Sequence, residues 1–209
     1  MMTRVLFLLF ASFSCMAQPP AGRWDGVVTY GDLKIPFTLN LSPSADGIGA
    51  VLVNGDVEVP ATGPGKFDGK RLTLQFSERL DATLVEGALK GTYGGKTVNA
   101  APYCTCSFEG SAGPAVMGRW RIAELEWTLD ITRKGEDTLV TITRPDNKIG
   151  PLHGRHDGLA FQLHYFDGER AGLLELEERK DGGLDVVWME PGKPPLRTRA
   201  VPAVAKASP

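Results

Sequence analysis

The side chains best suited to covalent chemistry in this sequence are two cysteines that stand one residue apart. Cys104 and Cys106 flank Thr105. In an oxidising compartment such a pair can close a tight disulfide, and the strain of so small a ring makes the bond easier to reduce. Cys104 and Cys106 are therefore candidates for thiol-disulfide exchange. A local structural staple, two idle thiols in a linker, or half of a soft metal site would explain the same spacing.

Three histidines offer a second kind of chemistry. His153, His156 and His164 are all the histidines of the chain, and they fall within twelve residues. Clustered imidazoles can bind zinc or copper. We expect His153 and His156 to lie in a turn, and His164 to share the solvent-facing side of a strand with Gln162. Histidines in those positions need no metal, so we predict no metal site and no cofactor.

The carboxylates show no catalytic arrangement. Glu124 and Glu126 alternate with apolar residues, as Glu175 and Glu177 do, and outward charges on half-buried strands produce this pattern. Catalysis of the glycosidase kind needs two inward carboxylates on separate strands, a placement that sequence alone does not give. The chain also contains no Gly-x-Ser-x-Gly elbow, phosphate-binding loop or dinucleotide fingerprint. We therefore assign no catalytic residue and do not expect an enzyme.

Four aromatic residues are candidates for binding a ligand: Trp24, Tyr93, Trp120 and Trp188. Aromatic side chains at the mouth of a small β-barrel can hold a small apolar molecule, or they can simply fill the core. A ligand-binding barrel should contain a cavity of about 300 Å³ or more. An interior filled with side chains would instead favour a protein partner.

The elements that must position these residues are short strands. Apolar residues occupy every second position of residues 35–41, which is the period of a half-buried strand. Asn54-Gly55 separates two further alternating runs and predicts a hairpin with a type I′ turn. No segment keeps a 3.6-residue period over a helix length, although residues 169–179 fit a short helix as well as a strand. The fold class is therefore all-β.

A repeated opening motif indicates two units. Gly22-Arg23-Trp24 recurs as Gly118-Arg119-Trp120, 96 residues later, and residues 166–172 look like an extra piece in the second copy. We predict two tandem antiparallel β modules of similar pattern, each a small barrel or half-open barrel. One large sandwich or barrel is the alternative. The predicted organisation is a signal peptide at residues 1–17, a first β module at 18–102, a cysteine-containing linker at 103–117, a second β module at 118–201 and a disordered tail at 202–209.

The first residues predict export. Arg4 precedes a short apolar run at residues 5–13, and small side chains precede a cleavage point after Ala17. A lipoprotein signal acylated at Cys15 is a second interpretation, and a buried N-terminal strand is a third. Either export route predicts a periplasmic or extracellular protein. The formal net charge of −2, with no basic stripe, gives no basis for a nucleic-acid partner.

Several strand and turn signatures resemble a known region. In the first module they are Gly22-Arg23-Trp24, Ile35-Pro36-Phe37-Thr38-Leu39, Val53-Asn54-Gly55, Phe67-Asp68-Gly69-Lys70-Arg71-Leu72-Thr73-Leu74 and Gly87-Ala88-Leu89-Lys90-Gly91-Thr92-Tyr93. In the second they are Gly118-Arg119-Trp120, His164-Tyr165-Phe166-Asp167-Gly168-Glu169-Arg170 and Leu173-Leu174. Together they resemble the N-terminal, non-catalytic region of exported bacterial TlpA-like thioredoxin-fold proteins. That family's Cys-x-x-Cys motif has no counterpart here, so the resemblance implies an accessory β module in a thiol-redox or envelope setting, without the reductase activity.

These observations combine into one expected function. We expect a non-enzymatic, exported, β-barrel-like protein that binds a small apolar ligand or a partner protein of the cell envelope. The alternative is a thiol-disulfide redox protein that acts through Cys104 and Cys106.

Overall fold

The computed structural model describes residues 18–104, 116–135, 137–157 and 160–203, and it confirms an all-β fold. The first unit contains β1 (Gly22–Tyr30), β2 (Leu33–Ser44), β3 (Gly47–Asn54), β4 (Val57–Pro60), β5 (Lys66–Phe67), β6 (Arg71–Gln75), β7 (Arg79–Val85), β8 (Ala88–Tyr93) and β9 (Lys96–Pro102). The second contains β10 (Gly118–Ile122), a 3₁₀ turn (Ala123–Leu125), β11 (Trp127–Lys134), β12 (Asp137–Thr143), β13 (Lys148–Asp157), β14 (Ala160–Phe166), β15 (Ala171–Glu178), β16 (Leu184–Met189) and β17 (Leu196–Pro202). The predicted leader, Cys106 and the end of the tail lie outside the described residues. No helix in the described ranges is long and apolar enough to cross a membrane.

The first unit is a curled, half-open barrel. Its sheet has the strand order β4-β3-β2-β1-β9-β8-β7-β6-β5, so hydrogen-bonded neighbours follow the chain and β1 pairs with both β2 and β9. The ring stays open because β4 and β5 do not pair with each other. The only ladder contact across this gap among the described residues is a single bridge between Ile48 and Gly65.

The second unit is a closed eight-stranded barrel. Each strand pairs with its neighbours in the chain, and β10 closes the ring by pairing with β17. Here β13 is one continuous strand that pairs with both β12 and β14. The first unit has two short strands, β4 and β5, at this position, which explains why one sheet closes and the other does not. The prediction of two antiparallel modules, each a barrel or half-open barrel, is confirmed.

Each unit has its own apolar core. Ile35, Phe37, Leu39 and Leu41 on β2 are at most 3% exposed, as their alternation predicts. The interior of the closed barrel is packed with aliphatic and aromatic side chains in the same way. Burying each Leu, Ile or Phe contributes about 1.5–3 kcal/mol to folding. Side-chain alternation in the strands therefore accounts for both cores.

The turn between β14 and β15 of the second unit packs into the core of the first unit. Phe166, at the end of β14, belongs to the core of the first unit and not to that of the barrel in which it begins. Its ring centroid lies 5.6 Å from that of Phe37 and 5.3 Å from that of Tyr93. Residues 166–172, the extra piece of the second copy, thus include the segment that plugs the half-open barrel.

Buried hydrogen bonds hold this plug in place. The Asn54 Nδ2 donates to the Phe166 carbonyl at 2.8 Å, and the Phe166 N–H donates to Asn54 Oδ1 at 2.9 Å. The hydroxyls of Ser77 and Tyr93 each donate to the Gly168 carbonyl at 2.6 Å. Because a buried polar group without a partner costs about 1–3 kcal/mol, these matched pairs fix how the units dock.

The Asn54-Gly55 turn differs from its prediction. Asn54 is the last residue of β3 and pairs with Val57, so the two loop residues are Gly55 and Asp56. Of these, only Gly55 has a positive φ, at 58°, whereas a type I′ turn requires two. The Asn54 side chain is consequently free of the turn and serves the contact with Phe166.

Candidate functional site

A cleft of about 440 Å³ lies between the two units. One wall comes from β1, β2, β9 and the residues just after β9, and the other comes from β12, β13, β14 and β15. Its volume falls in the range of about 300–1,000 Å³ that is usual for small-molecule sites. The cleft lies between the two units and not inside either barrel. The sequence had predicted a ligand cavity in a barrel interior.

Two histidines form the centre of the second wall. His153 on β13 and His164 on β14 are direct cross-strand partners, and their ring centroids are 4.1 Å apart. Their neighbours Leu152 and Leu163 point into the barrel, so alternation turns both imidazoles outward, toward the first unit. The expectation of turn and solvent-facing histidines is wrong for this pair, because His153 lies within β13, its side chain is 8% exposed, and His164 is half-buried. The side chain of His156 lies outside the described part of the structure.

Burial disfavours the charged form of both histidines. It lowers the pKa of His153, an effect that nearby Asp137 partly opposes. Burial, with the proximity of His153 and Arg23, brings the pKa of His164 well below its usual value. The Nε2 of His153 is buried and has no hydrogen-bond partner. Within the described ranges, no group of three or more histidine, cysteine or acidic side chains is arranged to hold a metal ion.

A fixed cation and anion border the opposite wall. The Arg23 Nε donates to Asp25 Oδ1 at 3.2 Å, and the Thr38 hydroxyl donates to the same oxygen at 3.0 Å. The Arg23 guanidinium lies 4.2 Å from the centroid of the Tyr103 ring. Thr38 is only 5% exposed, although it alternates with the core residues Phe37 and Leu39, so the second unit must cover this outer face. A cationic group thus lies at the edge of the cleft, on its solvent-exposed side.

The cysteine candidates lie at the same edge. Cys104 follows β9, is exposed, lines the cleft and is disulfide-bonded. The idle-thiol interpretation is therefore wrong for Cys104. The other two cysteines, Cys15 and Cys106, are outside the described residues, and the sequence leaves open whether Cys104 pairs with Cys106.

The aromatic candidates lie in the cores and not in the cleft. Trp24, Tyr93, Trp120 and Trp188 are between 2% and 5% exposed. The indole N–H of Trp24 donates to the Ala21 carbonyl at 3.3 Å, and that of Trp120 donates to the Val116 carbonyl at 2.8 Å. Trp188 packs so closely on Gly172 that a Cβ there would lie 2.3 Å from the indole. These contacts match the core-filling interpretation that the sequence left open.

Sequence reasoning missed most of the cleft lining. Arg23, Asp25 and Gln162 look like ordinary exposed positions of half-buried strands. The pair Leu173-Leu174 did carry a signal of the contact between the units. Adjacent leucines in a strand point to opposite faces of the sheet, so both faces must be covered. Leu174 is fully buried in the barrel, and Leu173 packs against the core of the first unit.

Compared with protein-family models, curated proteins and solved structures, the chain gives no match. The resemblance to the accessory region of TlpA-like proteins therefore stays a prediction. Function has to be argued from the cleft, its lining and its charges.

Proposed function

We propose that this protein is a non-enzymatic binding protein that takes a small, largely apolar molecule carrying a polar group into the cleft between its two β units. The observation that carries the proposal is the 440 Å³ cleft itself, which both units line. Binding sites commonly combine apolar walls with a few placed polar groups at the junction of two units.

The lining supports this ligand chemistry. Pro36, Ala101 and Leu173 supply apolar surface, and the Arg23 guanidinium stands at the edge. A ligand with an apolar body and an anionic group would match both features, because guanidinium groups bind carboxylates and sulfonates through charge-assisted hydrogen bonds. The packed barrel interior and the buried tryptophans favour this cleft over the barrel mouths.

The proposal places the protein outside the cytoplasm. The leader pattern of residues 1–17 and the disulfide at Cys104 support export, because disulfides persist in oxidising compartments. A relation to the accessory region of TlpA-like proteins fits the same setting. It rests on strand and turn signatures alone.

Binding of 8-anilinonaphthalene-1-sulfonate to the mature protein tests this function, because that probe has an apolar ring system and one anionic group. We expect saturable 1:1 binding that Ala101→Trp abolishes, since Ala101 is exposed in the cleft wall and a large ring there fills the space. Ala88→Trp, at the start of β8 and away from the cleft, is the matched control and should bind normally. Equal binding by both variants, or none by the parent protein, would refute the proposal.

A redox role is a second candidate, because the bonded Cys104 is exposed in the cleft wall. A redox-active bond would exchange with a thiol pool of moderate potential. The reduction potential of the purified protein decides this: a value below about −300 mV is that of a structural disulfide and would remove the candidate.

A further inference from the structure

The histidine pair, of which His153 is buried and His164 half-buried, lies at the contact that docks the two units. A Cβ added to Gly55, in the β3–β4 turn, would lie 3.6 Å from the Cβ of His153. The neighbouring residue, Asn54, makes both hydrogen bonds to the Phe166 peptide. His153 therefore packs against the β3–β4 turn. Asn54, the residue before that turn, holds Phe166 in the core of the first unit.

We propose that His153 and His164 form a proton-operated latch: the units dock while both imidazoles are neutral, and protonation separates them and opens the cleft. The two ring centroids are 4.1 Å apart, so two imidazolium charges would repel each other at close range. His153 is also too deeply buried to be solvated as a cation without movement of the first unit.

The surrounding charges do not neutralise a protonated pair. From β1, the cation Arg23 opposes protonation of both histidines. Asp25 on the same strand favours protonation of His153, but it accepts hydrogen bonds from Arg23 and Thr38. Asp137 on β12 also favours protonation of His153, and burial outweighs it. Among the described residues, the titratable side chains that line the cleft beside the pair are Arg23, Asp25, Asp137 and Tyr103, since the disulfide-bonded Cys104 does not titrate. On the β3–β4 turn, the Asp56 carboxylate is paired with Lys134 of the second unit at 3.8 Å.

The direction of the pH effect follows from proton linkage. Separation exposes the imidazoles and returns their pKa toward the ordinary value of about 6.5, so the open form binds more protons than the docked form. Docking is then at full strength above about pH 6.5 and weakens as the pH falls below it. Lowering the pH to one unit below that value can favour the open form by at most about tenfold for each histidine.

Hydrogen exchange at the Phe166 amide measures this opening in the full chain, because that N–H is bonded to Asn54 of the other unit. We expect its protection factor, corrected for the pH dependence of intrinsic exchange, to fall between pH 7.5 and 5.5 by up to about tenfold for each histidine that is protonated on opening. The Leu163 amide of the closed barrel is the internal reference and should change little. A flat protection factor at Phe166, or a parallel loss at Leu163, would overturn the latch.

Non-titrating variants assign the effect to the pair. The double variant His153→Gln, His164→Gln should lose the pH dependence at Phe166, and His156→Gln, which retains both residues, should keep it. If the double variant does not fold, the single change His164→Gln at the half-buried partner should reduce the effect to that of one histidine. An unchanged pH dependence in the variant that folds would contradict the proposal.

Discussion

Replacement of Asn54 by alanine should weaken the docking of the two units strongly. The side-chain amide is 1% exposed and bonds both polar atoms of the Phe166 peptide, at 2.8 and 2.9 Å. Alanine leaves one donor and one acceptor buried without partners, and each costs about 1–3 kcal/mol. Water can enter part of the space that the amide leaves and bond one of these groups. We therefore expect the free energy of separating the two units to fall by about 2–4 kcal/mol.

Two measurements on the same protein check this magnitude. Urea unfolding gives the loss in global stability, and exchange of the Phe166 amide gives the loss in docking. Asn99→Ala is the matched control, because Asn99 is exposed on β9 and its removal should change stability by no more than about 0.5 kcal/mol. If Asn54→Ala were as mild as Asn99→Ala, the paired hydrogen bonds would not determine how the units dock.

Two further predictions concern the β14–β15 turn. Gly168→Ala should lower the free energy of unfolding in urea by at least about 1 kcal/mol more than Gly182→Ala does. Both glycines have a positive φ, at 91° and 80°, so the backbone strain is similar. Only at Gly168 would the new Cβ meet another group, the Tyr93 hydroxyl at 2.7 Å. Burial raises the pKa of Asp167, but hydrogen bonds, including one from Tyr165, outweigh it and hold the pKa below its ordinary value. This carboxylate should stabilise the fold above about pH 4 and lose that contribution as the pH falls. The urea midpoint of Asp167→Asn should therefore fall less than that of the parent protein when the pH is lowered through about 4.

Local patterns predicted the secondary structure and the two-unit plan. Period-two alternation in residues 35–41 placed those side chains correctly because strand geometry alone determines which face a residue occupies. The same reasoning left residues 169–179 open between helix and strand. They form β15 in large part, since pairing with β14 and β16 satisfies their backbone groups.

Contacts between the units could not be predicted in this way. Asn54 looked like a turn residue and His164 like a solvent-facing one, because each assignment considered a single strand or hairpin. Their real environments depend on residues more than a hundred positions away, as the bonds from Asn54 to Phe166 show. The cleft arises from that docking, so its lining is scattered over both halves of the chain and has no local motif.

The central claim is that the cleft between the units is the binding site. Chemical-shift mapping with ¹⁵N-labelled protein and 8-anilinonaphthalene-1-sulfonate at neutral pH tests it most directly. We predict that the perturbed amides concentrate at Arg23, Ala101, Gln162 and Leu173, which face the cleft from both units. Perturbations centred on Trp120 and Trp188, inside the closed barrel, or spread over the surface without saturation would contradict the account.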